Sequence, residues 1–523
     1  MSDSKKSMFV TDDGKNVTFT FILVTSLFLL WGFCNGMIDV MDKHFQDQLH
    51  LTKAQSAWVQ FAHYMGYTLM ALPAGLLTRR FGYKGGILFG LVLVSLGGFW
   101  FMPATHISAF WAFLLGVCLI AMGLTVLETV ANPYTTVLGP KERGPARINL
   151  AQSFNGIGWI LGPIVGGAYF YSDGGVEVAH GRLYIPYLGI AIIVLILAVI
   201  FFFANVPDIR TEDAYHTDDN LPLPDTPAQR AKEYNRILMY CLMFLNVCVL
   251  GFAAYMILHL ILPACSVSEE NTARLVPIIV GLPLVVAGLM LVPIAKSITF
   301  HNIWAHPHFS SATLSQFLYV AAQAGIFSFF INYIISEMPA ISRATMDGWL
   351  ISGNAVLRDG AYFVNEKGAT RLLGCVGFVL FCLGRFVGAA VISKAPAHRV
   401  LGTYAFLNVL LCSVVVLKLG WISVIAVFLT FFFMSVMFPT IFALGIHGLG
   451  TQSRKKASAF IVMSITGGAL MPKLMGHLGD IYNMSVSFWM PLVCFALIAL
   501  YGFTWSKLSQ SEGIRGLKTS GGH

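Results

Sequence analysis

Charge is what this sequence has least of. Only 11% of its 523 residues are Asp, Glu, Lys or Arg, while 56% are hydrophobic; soluble domains carry about 25% charged residues. The balance excludes an ordinary soluble protein and indicates an integral membrane one. Nine cysteines lie mostly inside apolar runs, with no CxxC or Cys/His ligand spacing, so neither a disulfide framework nor a zinc site is implied. There is no GxxxxGK(S/T) loop, which argues against ATP-driven transport by this chain. The His/Asp cluster or activated Ser or Cys that an intramembrane enzyme needs is also missing, so neither catalysis nor a bound metal or cofactor is expected. Residues 1–16 lack the basic start, short apolar core and small-residue cleavage site of a secretory leader, and the first apolar run is expected to stay in the membrane.

What the chain has in quantity is apolar runs long enough to cross a bilayer, about 20 residues each. The expected spans are 18–40, 56–78, 84–103, 109–137, 149–172 and 184–205, then a polar, Pro- and Asp-rich linker over 205–233. Spans 236–263 and 275–296 follow, and then 312–336, 369–393, 399–418, 421–446, 457–481 and 485–508. The reading is all-α, with about fourteen helices grouped as six, two and six. Domain limits are expected at 1–205, 206–311 and 312–523.

The net charge of +8 is distributed by side of the membrane. Arg79, Arg80 and Lys84 fall on one side with Lys141, Arg143, Arg147, Arg230, Lys232, Arg236 and the Arg454-Lys455-Lys456 run, and the opposite turns are poor in Lys and Arg apart from the long 338–370 loop. By the positive-inside rule both termini and the linker are cytoplasmic. The excess charge is therefore a topology signal, and nucleic acid is not an expected partner. Two six-helix halves joined by such a linker suggest a transporter with its substrate site between the halves near the midplane.

The few charges inside spans are the candidates for function. Glu128 lies deep in the fourth span, where an ionisable group costs roughly 2.5–3.5 kcal/mol even on lenient insertion scales. Asn132 follows it at i+4 on the same face, and Pro133 loosens the backbone beside it. A carboxyl that alternates between charged and neutral forms suits proton coupling; a structural salt bridge is the alternative. Asp39 sits near the outer end of the first span, after Trp31-Gly32-Phe33-Cys34-Asn35-Gly36, a stretch suited to a broken, cavity-lining helix.

Polar groups recur at helical spacing. Gln152 and Asn155 share a face at i, i+3, and amides both donate to and accept from hydroxyl-rich ligands. Gln316, Tyr319 and Gln323 form a comparable stripe, whose plainer role is glue between helices. His63 and Tyr67 pair at i, i+4, the histidine more often structural than a relay. Arg385 is assigned to a gate or structural role towards the cytoplasmic end of its span. Lys473, in the outer half of its span, is a candidate partner for Asp39 or the other pathway carboxyl. Arg79, Arg80 and Lys84 belong to the Gly75-to-Lys84 turn, which resembles the Gly-rich, basic loop of the major facilitator superfamily. The usual loop has an acidic residue where Thr78 stands. The stretch Gly384-Arg385-Phe386-Val387-Gly388 is expected to be its counterpart in the second half.

A narrower resemblance is carried by Leu30-Trp31 through Asp39, Pro73-Ala74-Gly75, Leu127-Glu128-Thr129-Val130-Ala131-Asn132-Pro133, and Asn149-Leu150-Ala151-Gln152-Ser153-Phe154-Asn155. In the second half it is carried by Phe438-Pro439-Thr440-Ile441-Phe442 and Ser458-Ala459-Phe460-Ile461-Val462-Met463. The chain resembles the fucose:proton symporter family, which includes glucose/galactose and N-acetylglucosamine permeases. The resemblance implies the major facilitator fold and sugar–cation symport, with Asp39 and Glu128 as the acidic residues and Gln152 and Asn155 as the sugar-binding amides. It does not extend over spans 236–263 and 275–296. Where the fucose carriers have a polar Gln-Tyr pair, this chain has Met437 and Phe438, a less polar wall that puts L-fucose itself in question. The expected substrate is a hexose, deoxyhexose or N-acetylhexosamine, bound by Asn35, Asn132, Gln152, Asn155, Gln316, Tyr319, Gln323, Met437 and Phe438. The coupling ion is H+ or Na+. A carrier of peptides or drugs is the alternative, without the cationic clamps it would need on the first helix. The protein is expected to be a monomer in the plasma membrane, the inner membrane if bacterial.

Overall fold

A computed structural model describes residues 8–10, 14–48, 58–107, 109–140, 143–170, 184–207, 236–264, 268–297, 302–341 and 355–510. Helix length dictates much of its architecture. The helix α1 (Thr18–Gln48) is followed by α2 (Trp58–Ile107), which has 50 residues. At 1.5 Å per residue α2 would span about 75 Å, far beyond a bilayer core of about 30 Å. It is interrupted at Gly82, whose backbone (φ 73°, ψ −175°) is open essentially to glycine alone. The chain therefore crosses twice, on either side of Gly82, where two separate spans are expected from the sequence. Next come α3 (Phe110–Val137), α4 (Gly144–Phe170) and α5 (Ile185–Phe203), completing six crossings.

After the linker, α6 (Arg236–Ala264) and α7 (Glu269–Ser297) form a pair. The second half is α8 (Pro307–Glu337), α9 (Phe378–Ile392), α10 (Ala397–Val416), α11 (Trp421–Met434), α12 (Met437–Gly445), α13 (Thr451–Met463), α14 (Gly467–Ile481) and α15 (Trp489–Gln510). Two of its spans are discontinuous. One breaks at Ser435–Val436, between α11 and α12, and the other tightens into a 3-10 turn at Ser464–Thr466, between α13 and α14. Among the described residues, eleven helices are long and apolar enough to cross a membrane, and one of these is the doubled crossing of α2. With α4 and α6 the total is about fourteen.

The pair α6–α7 lies beside the second half. Tyr240 donates to the Gly288 carbonyl at 3.1 Å, holding the two helices together, and Asn246 donates to the Ser310 carbonyl at 3.1 Å, docking α6 on α8. The other side of α7 exposes Leu282 and Leu289, as a lipid-facing helix does. The 338–370 stretch contains a β-hairpin that the sequence reading leaves as loop: β1 (Ala355–Arg358) pairs antiparallel with β2 (Ala361–Val364). Asp359 (φ 49°) and Gly360 (φ 78°) supply the paired positive φ angles of a tight hairpin turn.

Contacts across the two halves run along α4 and α9, and also join α13 to α2 and α3, and α12 to α4. At the face carrying the basic turns, a Cβ added to Gly75 would meet the Ala459 Cβ at 2.6 Å. Nearby, Lys455 lies over the Tyr83 ring at 4.6 Å, and Asn149 donates to Thr440 Oγ1 at 3.1 Å.

Candidate substrate site

Three helix contacts place the polar residues. On α4, Gly158 and Gly162 pack directly on the α1 backbone, the small-xxx-small device that lets helices approach in a membrane. The same contact seats Asn155 against α1, with its Nδ2 donating to the Phe28 carbonyl at 3.2 Å. On α3, Glu128 and Asn132 are both buried. From α4, Gln152 Nε2 donates to Asn132 Oδ1 at 3.2 Å. On α9, a Cβ at Gly384 would strike Phe432 and Ser435, and one at Gly388 would strike Val436. These two glycines are a contact surface for the α11–α12 break. This corrects the expectation that Gly384–Arg385–Gly388 forms a loop counterpart of the Gly75 turn: it lies inside the helix, and the turn follows at Ser393–Pro396.

The close approach aims Arg385 inward. Its Nε donates to the Ser435 carbonyl at 3.1 Å. Its Nη1 donates to Gln152 Oε1 at 3.2 Å, to Asn155 Oδ1 at 2.6 Å and to the Gln152 carbonyl. The guanidinium also stands over the Phe381 ring, 4.5 Å from its centroid. Arg385, expected in a gate or structural role, thus bonds both of the amides that the sequence singles out on α4. The resulting chain, Arg385–Gln152–Asn132, ends beside Glu128.

Glu128 is 2% exposed. Tyr67 and Asn132 are its polar neighbours and the Arg385 charge acts on it, yet among the described residues neither carboxylate oxygen makes a well-directed hydrogen bond. Asn35 Oδ1, Asn132 Nδ2, both polar atoms of the Gln316 amide and the Tyr319 hydroxyl are likewise buried without a partner there. Such atoms are uncommon in folded proteins, and a cluster of them marks a place with work to do.

An aromatic wall faces these groups. Phe438 lies 6.0 Å from Trp31 and 6.2 Å from Tyr319, centroid to centroid, and Trp31 Nε1 donates to the Tyr67 hydroxyl at 2.8 Å. Met437 is fully buried beside it on α12. Gln316 and Tyr319 are buried on α8, whereas Gln323 is half-buried, so the polar stripe is fully buried only at its first two members. Trp31 and Tyr67 are not picked out as ligands from sequence; they are 36 positions apart, and no local pattern joins them. The side chains of Asp39, on α1, and Lys473, on α14, lie outside the described residues. Among the basic-turn residues, Arg79 and Arg80 are exposed, and Lys84 Nζ donates to the Ala204 carbonyl at 2.8 Å, capping the end of α5.

Comparison with known proteins identifies the family and the fold. The profile described as Major Facilitator Superfamily matches residues 19–356. The chain is 31% identical over 483 residues to the L-fucose-proton symporter of Escherichia coli strain K12, covering 92% of each. It is 28% identical over 500 residues to the glucose/galactose transporter of Brucella abortus biovar 1, covering 95% of this chain and 96% of that one. Among solved structures, that of the transporter FucP in the outward conformation is similar with a TM-score of 0.65 and 29% identity, covering 93% of this chain and 99% of that one. A proton:xylose symporter shares the fold, with a TM-score of 0.58 at 11% identity.

Proposed function

We propose, for a chain that belongs to the Major Facilitator Superfamily, that it is a secondary carrier of a monosaccharide, driven by protons through alternating access. One observation carries the reading. A buried carboxylate without a good hydrogen bond, Glu128, stands at the end of a chain of first-half amides, Asn132 and Gln152, that Arg385 of the second half joins across the molecule. Amides and hydroxyls with free hydrogen-bonding capacity suit a polyhydroxylated ligand. The Trp31, Tyr319 and Phe438 rings suit the apolar faces of a sugar ring. The carboxyl exchanges its proton with one side or the other as the halves rock, and Asp39 is the second carboxyl of the pathway.

The apolar Met437–Phe438 wall favours a sugar with a methyl or another apolar edge, such as a deoxyhexose or N-acetylhexosamine, or a hexose presenting its flat face. The basic face is cytoplasmic, following the distribution of Lys and Arg, and the working unit is a monomer. Its two moving bodies are 1–205 and 312–523, with 206–311 carrying the linker and the lateral pair. The test is uptake into vesicles of labelled L-fucose, D-glucose, D-galactose and N-acetyl-D-glucosamine, with pH and Na+ gradients imposed separately. Accumulation of at least one sugar that follows the pH gradient and ignores Na+ is expected. Uptake indifferent to the pH gradient would overturn proton coupling, and uptake of none of the sugars would overturn the substrate class.

A further inference from the structure

We propose that Arg385 is a built-in competitor for the sugar-binding amides, and that sugar binding must displace it. The inference rests on the carrier reading above and names how its site is regulated. The guanidinium spends its donors on the groups a sugar would use, Gln152 and Asn155. These belong to α4 in the first half, as does the Gln152 backbone carbonyl that Arg385 also reaches, while Arg385 and the Ser435 carbonyl at the α11–α12 break belong to the second. One side chain therefore ties the halves together across the candidate site. The tie consists of hydrogen bonds from a charged donor in a buried setting, stronger than those between neutral groups.

A sugar that takes the Gln152 and Asn155 amides has to supply hydrogen bonds in place of those from Arg385, and in doing so loosens α9 from α4, leaving the guanidinium its bond to the Gln152 backbone carbonyl. The displaced guanidinium keeps the Ser435 carbonyl and the Phe381 ring. Phe438 lies on α12, the segment directly after that break. Occupancy of the amides is thereby reported to the helix that forms the sugar's other wall. Arg385 acts here as a positioning residue that gates access to the ligands.

The test is equilibrium binding of tritiated L-fucose and D-galactose to the purified full-length protein in detergent, alongside initial uptake rates in proteoliposomes. Arg385→Met removes the competitor, so the dissociation constant should fall about tenfold, the weight of one hydrogen bond to a charged group, and KM should fall with it. Maximal uptake rate should fall too, because the report of occupancy is lost. A purely structural role predicts the opposite for affinity, since a loosened site binds worse. Arg385→Lys keeps the charge but not the fork, and should tighten binding by less, about threefold; it serves where the methionine variant does not purify as a monodisperse protein. Unchanged or weaker binding in either folded variant would overturn the proposal, and abolished binding would make Arg385 a sugar ligand instead. Failure of the carrier reading shows separately, as a wild-type protein that binds neither sugar.

Discussion

The two halves bring different chemistry to the same site. The first supplies the carboxylate and the amides: Glu128 and Asn132 on α3, Gln152 and Asn155 on α4. From the second come a cation and a wall of rings and sulfur: Arg385 on α9, Tyr319 on α8, Met437 and Phe438 on α12. Gln316 on α8 adds a fully buried amide from the second half. This asymmetry implies a division of labour. On the proposed reading, coupling and hydroxyl recognition would reside in the first half, while the second would set which sugar fits and hold the first half in register.

The largest effect is expected at the carboxylate. Glu128→Gln should abolish uphill accumulation driven by a pH gradient and leave sugar exchange running, because the glutamine keeps the shape and loses the exchangeable proton. The comparison breaks if exchange is lost as well, which would make Glu128 chiefly a sugar ligand. Next in size, Asn155→Ala should raise KM about tenfold or more, since a site built around hydrogen bonds discriminates strongly against losing one. A KM within a factor of two of wild type would move recognition away from the first half. In the second half, Phe438→Tyr adds a hydroxyl to the apolar wall. It should change the ranking among L-fucose, D-galactose and N-acetyl-D-glucosamine by several-fold, with the dependence on the pH gradient unchanged. A shift in proton coupling from that variant would show that the halves do not divide the work.

How far the sequence announced this arrangement differs between the halves. Six, two and six spans are legible because each must be long and apolar, and Glu128 stands out because a charge in such a span is costly. The shared faces of Glu128 and Asn132, and of Gln152 and Asn155, follow from helical spacing alone. The second half is less legible for a physical reason. Arg385 reaches the amides only because Gly384 and Gly388 admit the α11–α12 break, and that depends on how two helices meet, not on the periodicity of either. In sequence the same glycines read as a turn. The Trp31–Tyr67 bond is likewise a meeting of separate helices. The hairpin at 355–364 is a different case: Asp359-Gly360, flanked by Val356-Leu357 and Tyr362-Phe363, is a strong hairpin signal, but it is masked by the transmembrane pattern around it.

The smallest predicted effect tests how the halves are held together at the basic face. Thr78, where the resembling loop has an acidic residue, is buried and donates to the Ala74 carbonyl at 2.7 Å. It offers no charge to pair across the interface. Instead Lys455 of α13 lies over Tyr83, whose ring packs tilted against Tyr134 of α3 with centroids 4.6 Å apart, and Tyr134 donates to the Pro207 carbonyl at 2.7 Å. A cation over an aromatic face contributes about 0.5–2 kcal/mol, more as water is excluded. Lys455→Met should therefore shift the balance between the two faces by only a few-fold. The shift would be read as a lowered KM ratio between uptake and efflux in oriented vesicles. Because the contact is buried rather than an exposed ion pair, raising the salt concentration should leave that ratio nearly unchanged in the wild type. A ratio that collapses with salt would place the closing force in the exposed Arg79 and Arg80 instead, and the basic face would then be held by surface charge.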